Sequence, residues 1–152
     1  MDNNTIEKLK SYGFSLCSKN GYLFNKNTFI LKPNILVEGA HSTDIATIHY
    51  ANEEGLKGLC YYSTLLEELP MMFPDHHNVE AIIKKINKFA DADIELKFHN
   101  GFAFLVIECD ENDINDNHIF DYLLSAMIKA IGQLDYFLQQ RVRYLQKKYW
   151  NA

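Results

Sequence analysis

Apolar residues in the last fifth of the chain recur at spacings of three and four. Ile119, Leu123, Leu124, Met127, Ile128, Ile131, Leu134, Leu138, Val142, Leu145 and Tyr149 fall on one side of a helical projection, and Lys129, Gln133, Gln140, Arg143 and Lys147 largely on the other. That stripe predicts an amphipathic helix over residues 117–150. No proline interrupts it, and its single glycine is Gly132. At 1.5 Å per residue it would run roughly 50 Å, whereas a domain of this size has a radius of gyration of about 15 Å. The helix must therefore bend at Gly132 or project beyond its own core.

The rest of the chain alternates between the two periodicities. Asn4-Thr5-Ile6-Glu7 reads as a helix start with Asn4 as N-cap, ended by Gly13 and followed by Phe14 and Leu16. From residue 21 to 63 the period becomes two. Tyr22-Leu23-Phe24 and Phe29-Ile30-Leu31 flank Asn25-Lys26-Asn27 as a predicted hairpin. Ile35-Leu36-Val37 restarts after Pro33-Asn34, and 39–44 reads as polar loop. Residues 45–50 and 56–62 read as strands around the turn Asn52-Glu53-Glu54-Gly55. The expectation is a meandering antiparallel sheet with four or five strands in this region.

Thr64-Leu65-Leu66-Glu67 predicts a capping box on a short helix halted near Pro70. Met71, Met72 and Phe73 follow, closed by Pro74. Asp75 or Asn78 is expected to cap a helix whose buried stripe is Val79, Ile82, Ile83, Ile86, Phe89 and Ala90. Residues 94–98 alternate, His99-Asn100-Gly101 signals a primed hairpin turn, and 102–108 is more uniformly apolar, as expected for a strand buried on both faces. Residues 110–116 read as an acidic loop before the final helix. The fold class expected is α+β: one domain, 1–152, with an antiparallel β-sheet packed by helices in the order helix, strands, helix, hairpin, long C-terminal helix.

Composition narrows the function. The chain has 152 residues, 47% hydrophobic and 23% charged, so a real core is affordable and disorder is not expected. A net charge of −5 argues against nucleic acid as partner. Cys17, Cys60 and Cys109 are odd in number and far apart, which fits reduced thiols in a cytoplasm. There is no signal-peptide pattern at Met1-Asp2-Asn3-Asn4 and no apolar run of membrane-spanning length.

Chemistry-bearing patterns are sparse. A calcium loop starting at Asp113 fails, with His118 at the glycine position and Leu124 where a bidentate glutamate belongs. Acids at 110–116 suit a helix N-terminus instead, and Arg141, Arg143, Lys147 and Lys148 suit the other end. His76-His77 lacks any spaced His or Cys partner set. His49 and Cys60 could form a base and nucleophile with Tyr62 near them, but nothing in the sequence supplies an orienting group. No phosphate-binding loop is present. No cofactor and no metal are expected. Met71-Met72-Phe73 could form an adaptable surface for an apolar segment.

The helix at 79–90 with Ile86-Asn87 near its end, the strand pair 94–98 and 102–108, and the amphipathic helix from Ile119 together resemble the type III secretion chaperone-like fold. A bacterial family described as sensory transduction regulators also uses it. Extra N-terminal strands and the 64–73 stretch depart from the basic pattern. The resemblance implies a non-enzymatic, cytoplasmic, homodimeric protein that binds an extended client segment; the net charge and the hydropathy add the expectation of no nucleic acid and no membrane as partners. Candidate protein-binding residues are Met71, Met72, Phe73, Ile131, Leu138 and Val142. Two other functions compete: an acidic inhibitor of a toxin enzyme acting through the surface around 110–121, and a sensor or enzyme built on His49, Cys60 and Tyr62.

Overall fold

The computed structural model describes residues 1–18, 23–26, 28–31, 46–73 and 76–149, with the side chains of 65, 70, 71, 76 and 77 left aside. The expected strand at 35–37 and loop at 39–44 lie outside the described residues. Helix α1 (Asn3–Ser11) is capped by Asp2, whose carboxylate accepts from the Thr5 N–H at 3.0 Å. The cap is therefore Asp2 and not Asn4, which lies inside the helix. Gly13 takes a positive φ of 97° and turns the chain into strand β1 (Phe14–Leu16).

β1 pairs antiparallel with β2 (Phe29–Leu31), with Phe14 opposite Leu31 and Leu16 opposite Phe29. This corrects the expected hairpin of residues 22–24 with 29–31. Leu23 and Phe24 are not strand; the Phe24 ring instead lies 4.8 Å from the His49 ring, centroid to centroid. Packing of the aromatic overrides its local strand preference.

Strands β3 (Ala46–Glu53) and β4 (Leu56–Ser63) form the long central hairpin, and Gly55 at φ 88° makes its turn. β5 (Glu95–His99) and β6 (Phe102–Ile107) form a second hairpin around Asn100 and Gly101, at φ 51° and 84°. Both positive values are what a type I′ turn requires. The six strands run in the order β1-β2-β3-β4-β6-β5, every described pairing antiparallel. Gly58 is demanded by the β4–β6 pairing: a Cβ there would stand 2.2 Å from the Ile107 carbonyl oxygen.

Alternation along the strands builds two cores. Ile48, Tyr50, Leu59, Tyr61, Leu105 and Ile107 face the helices, while Ala51, Cys60, Tyr62, Phe104 and Val106 pack on the opposite face. β6 contributes to both, which explains its uniformly apolar sequence.

Helix α2 (Thr64–Glu67) is capped by Ser63, whose hydroxyl accepts from the Leu66 N–H at 3.0 Å. Glu67, expected to close a box with Thr64, accepts from the Ala103 N–H at 2.8 Å and ties α2 to β6. Pro70 does not halt a helix but sits in the first turn of α3 (Leu69–Met72), where a missing N–H leaves no bond unmade. In α4 (His76–Ala90), Ile82, Ile86 and Ala90 are buried, whereas Phe89 is exposed and Asn78 lies within the helix rather than capping it. Residue 75 is outside the described set. The acidic loop is in fact a short helix, α5 (Glu111–Asn115), closed by reciprocal bonds between Asp110 and Asp113.

Helix α6 (Asn117–Tyr149) is unbroken through Gly132. Its buried side is Phe120, Met127, Ala130, Ile131, Leu134 and Leu138; Ile119 and Ile128, expected on that side, are exposed. The stripe is rotated from the expected one because Phe120, with Tyr12 and Phe14 against its ring, fills the end of the core. No helix among the described residues is long and apolar enough to cross a membrane.

Candidate functional site

The helices α3, α4 and α6 meet along one side of the molecule and leave a groove of about 380 Å³. Its walls come from the face of α4 beside its buried stripe (Ala81, Ile82, Lys85) and from Phe137, Arg141 and Tyr144 of α6, with Phe73 closing one end. These three elements converge because Ile82 and Ile86 on α4 share a core with Leu134 and Leu138 on α6. Helix α6 then continues past the last buried residue, and its next turn forms the open wall.

Arg141 organises this end. Its Nε donates to the Met72 carbonyl at 2.7 Å, which satisfies a carbonyl at the end of α3. Its guanidinium lies 5.2 Å from the Phe73 ring centroid and 4.9 Å from that of Tyr144. The ammonium of Lys85 stands 5.8 Å from the Phe137 ring. Each contact sets a cation against the negative face of a ring, worth about 0.5–1 kcal/mol at such exposure. The described lining thus has an aromatic and aliphatic floor, two cations and no carboxylate. In a chain of net charge −5 this is a local inversion. The groove can seat an apolar side chain and pair a carboxylate beside it.

The candidate binding residues divide here. Phe73 lines the groove and Met72 is half-buried beside it, but the Met71 side chain lies outside the described residues. Ile131 and Leu138 are buried in the core of the single chain, at 6% and 3% exposure, so they hold α6 to the sheet and offer no open surface. Val142, at 38%, is exposed. Sequence reasoning missed Lys85, Phe137 and Arg141. A signal was available: no Asp or Glu follows Asp135, while four Lys and Arg do.

His49, Cys60 and Tyr62 are brought together on the sheet face away from the helices. His49 stands opposite Cys60 in the β3–β4 register, and Tyr62 follows two residues along the same face. Their electrostatics oppose catalysis. Burial pushes the Cys60 thiol well above its ordinary pKa, and its Sγ donates to the Gly58 carbonyl at 3.5 Å. Burial also lowers the His49 pKa to about 3, between the rings of Phe24 and Phe104. The Nδ1 of His49 has no hydrogen-bond partner among the described residues. A thiol held protonated beside an unoriented imidazole is not an activated nucleophile.

The acids at 110–121 are mostly engaged in the fold. Asp110 and Asp113 cap α5, and Asp116 accepts from the His118 and Ile119 N–H groups. Glu111 accepts from the Asp2 N–H, and Asp121 accepts from the Tyr12 hydroxyl. Among the described residues no group of three or more His, Cys, Asp or Glu could hold a metal ion. His76 and His77 open α4, and their side chains lie outside the described residues.

No protein-family model, curated protein or solved structure matches this chain.

Proposed function

We propose that the chain is a non-enzymatic protein-binding module that takes a segment of a partner protein in the groove between α4 and α6. The reading places it with the secretion chaperones and regulatory adaptors whose element order it resembles, in a cytoplasm where its three thiols stay reduced. The observation that carries it is the groove's composition: Ile82 and Phe137 for an apolar anchor, Lys85 and Arg141 for a carboxylate, and no acid in the described lining. The preferred segment carries an aliphatic or aromatic side chain next to Asp or Glu. Arg141 is pre-set by its bond to Met72 and its two ring contacts, so little side-chain entropy is lost on binding. The chain's net acidity supports a protein partner over nucleic acid. The inhibitor reading has less support, because the acids it needs already cap helices and bond within the fold.

Site-specific photocrosslinking tests this. A benzophenone side chain at Gln140, on the groove, should capture a partner segment rich in acidic and apolar residues. The same group at exposed Lys57 should not, and Arg141→Glu should abolish the Gln140 product. Identical products from both positions, or indifference to Arg141→Glu, would refute the groove.

A further inference from the structure

The groove has two unlike ends. At one, α3 stops at Met72, and Arg141 fastens both the Met72 carbonyl and the Phe73 ring to α6. The end of α3 therefore stands across the groove there. At the other, the Lys85 ammonium of α4 stands by the ring of Phe137, four residues before Arg141 on α6. Four helical residues rise about 6 Å. One cation thus marks the closed end and the other lies about one turn toward the open end. Ala81 and Ile82, in the turn of α4 before Lys85, floor the space between them.

That shape selects what can enter. A strand or helix that runs through a groove needs both ends open. A space of about 380 Å³, near the bottom of the ~300–1,000 Å³ range of small-ligand sites, suits the last residues of a chain instead. The chemistry of the closed end agrees. Arginine carries five N–H donors in a planar fork. The Nε–H of Arg141 is spent on Met72, and the rings of Phe73 and Tyr144 hold the guanidinium in place. Its two terminal nitrogens keep their donors, and that edge matches a carboxylate with two parallel bonds. Asn78, in the first turn of α4, adds a side-chain amide to the lining.

We propose that the groove receives the free C-terminus of a partner protein. The terminal carboxylate pairs with Arg141, an apolar last side chain lies on Ala81 and Ile82, and an Asp or Glu just before it pairs with Lys85. The proposal rests on the groove reading above and names the part of the partner that enters. The same residues inside a longer segment bind poorly, because the chain beyond them would have to pass through Phe73. Amidation or loss of the partner's last residue ends recognition with no change in this chain.

Three pools of synthetic peptides, each randomised over the same four positions, test this on the immobilised full chain. One pool ends there in a free carboxylate, one ends there in an amide, and one continues through Gly-Ser-Gly to an amide. Mass spectrometry of the retained peptides should show enrichment only from the free pool, in apolar last residues preceded by Asp or Glu. In anisotropy titrations of the selected peptides, amidation should weaken binding at least about tenfold, as expected for loss of a hydrogen-bonded charge. Arg141→Gln should erase the difference between acid and amide. Lys85→Gln should keep that difference and erase the preference for the preceding acid. Amidation and Lys85→Gln leave the α3 contacts of Arg141 intact, so they test the proposal even if Arg141→Gln loosens α3. Equal enrichment from all three pools, lost in Arg141→Glu, would overturn the C-terminal proposal and leave the groove reading standing. No enrichment from any pool, or enrichment indifferent to Arg141→Glu, would overturn both.

Discussion

The two ends of α6 carry the same pattern and meet opposite fates. From Phe120 to Leu138 the inward positions are buried against the sheet and α4. From Val142 onward the same angular stripe continues as Val142, Leu145 and Tyr149, yet none of the three is buried. A period of 3.6 residues says which side of a helix is apolar. Where that side stops being covered depends on the reach of the other layer. The sheet and α4 end, and the helix does not. The uncovered turns keep an apolar stripe, and their cations and aromatics supply one wall of the groove.

The strongest way to break the comparison is Ile131→Asp. It places an ionised carboxylate among Ala130, Leu134 and the sheet, with no partner, and should abolish cooperative folding in a circular-dichroism melt. A soluble variant with an unchanged melting temperature would contradict the burial of that turn. Truncation is milder. Leu134→Ala should cost about 2–5 kcal/mol of unfolding free energy in urea titration, the usual range for a buried leucine.

Acid acts on α6 through the stability of the sheet it packs on. The folded pKa of His49 is about 3, below its ordinary 6.5. Between those values the unfolded chain takes up a proton that the folded chain refuses, so stability is full above about pH 6.5 and falls as pH drops toward 3. The slope from this one group approaches about 1.4 kcal/mol per pH unit. His49→Leu should flatten that part of the stability profile. Hydrogen exchange sharpens the same contrast: protection at 120–138 should decline with acid, while amides at 142–149 exchange fast throughout. The smallest effect is Val142→Ala, expected within about 0.5 kcal/mol of the parent. A loss approaching that of Leu134→Ala would mean the projecting turns are covered.

Local signals read well where they act alone. Asn100-Gly101 makes its turn because both positions need positive φ, which few residues adopt cheaply. Capping was less legible, since several residues could compete for each role. Asp2 takes the cap expected of Asn4, and Ser63 the one expected of Thr64, with Glu67 free to reach Ala103 across the sheet. The pairing of β1 with β2 was hidden because Leu23 and Phe24 look like strand residues in isolation, and only the His49 ring shows why Phe24 goes elsewhere.

The sequence by itself determined the element order, the α+β class, the antiparallel sheet and the length of the last helix, because each is written in short-range periodicity and turn chemistry. The tertiary structure alone decided the rest. Phe120 rather than Ile119 enters the core, Ile131 and Leu138 are sealed in it, and Phe73, Lys85, Phe137 and Arg141 share a groove. Those outcomes depend on which surfaces meet across tens of residues. A hydrophobic period names a face but does not say how far its cover extends.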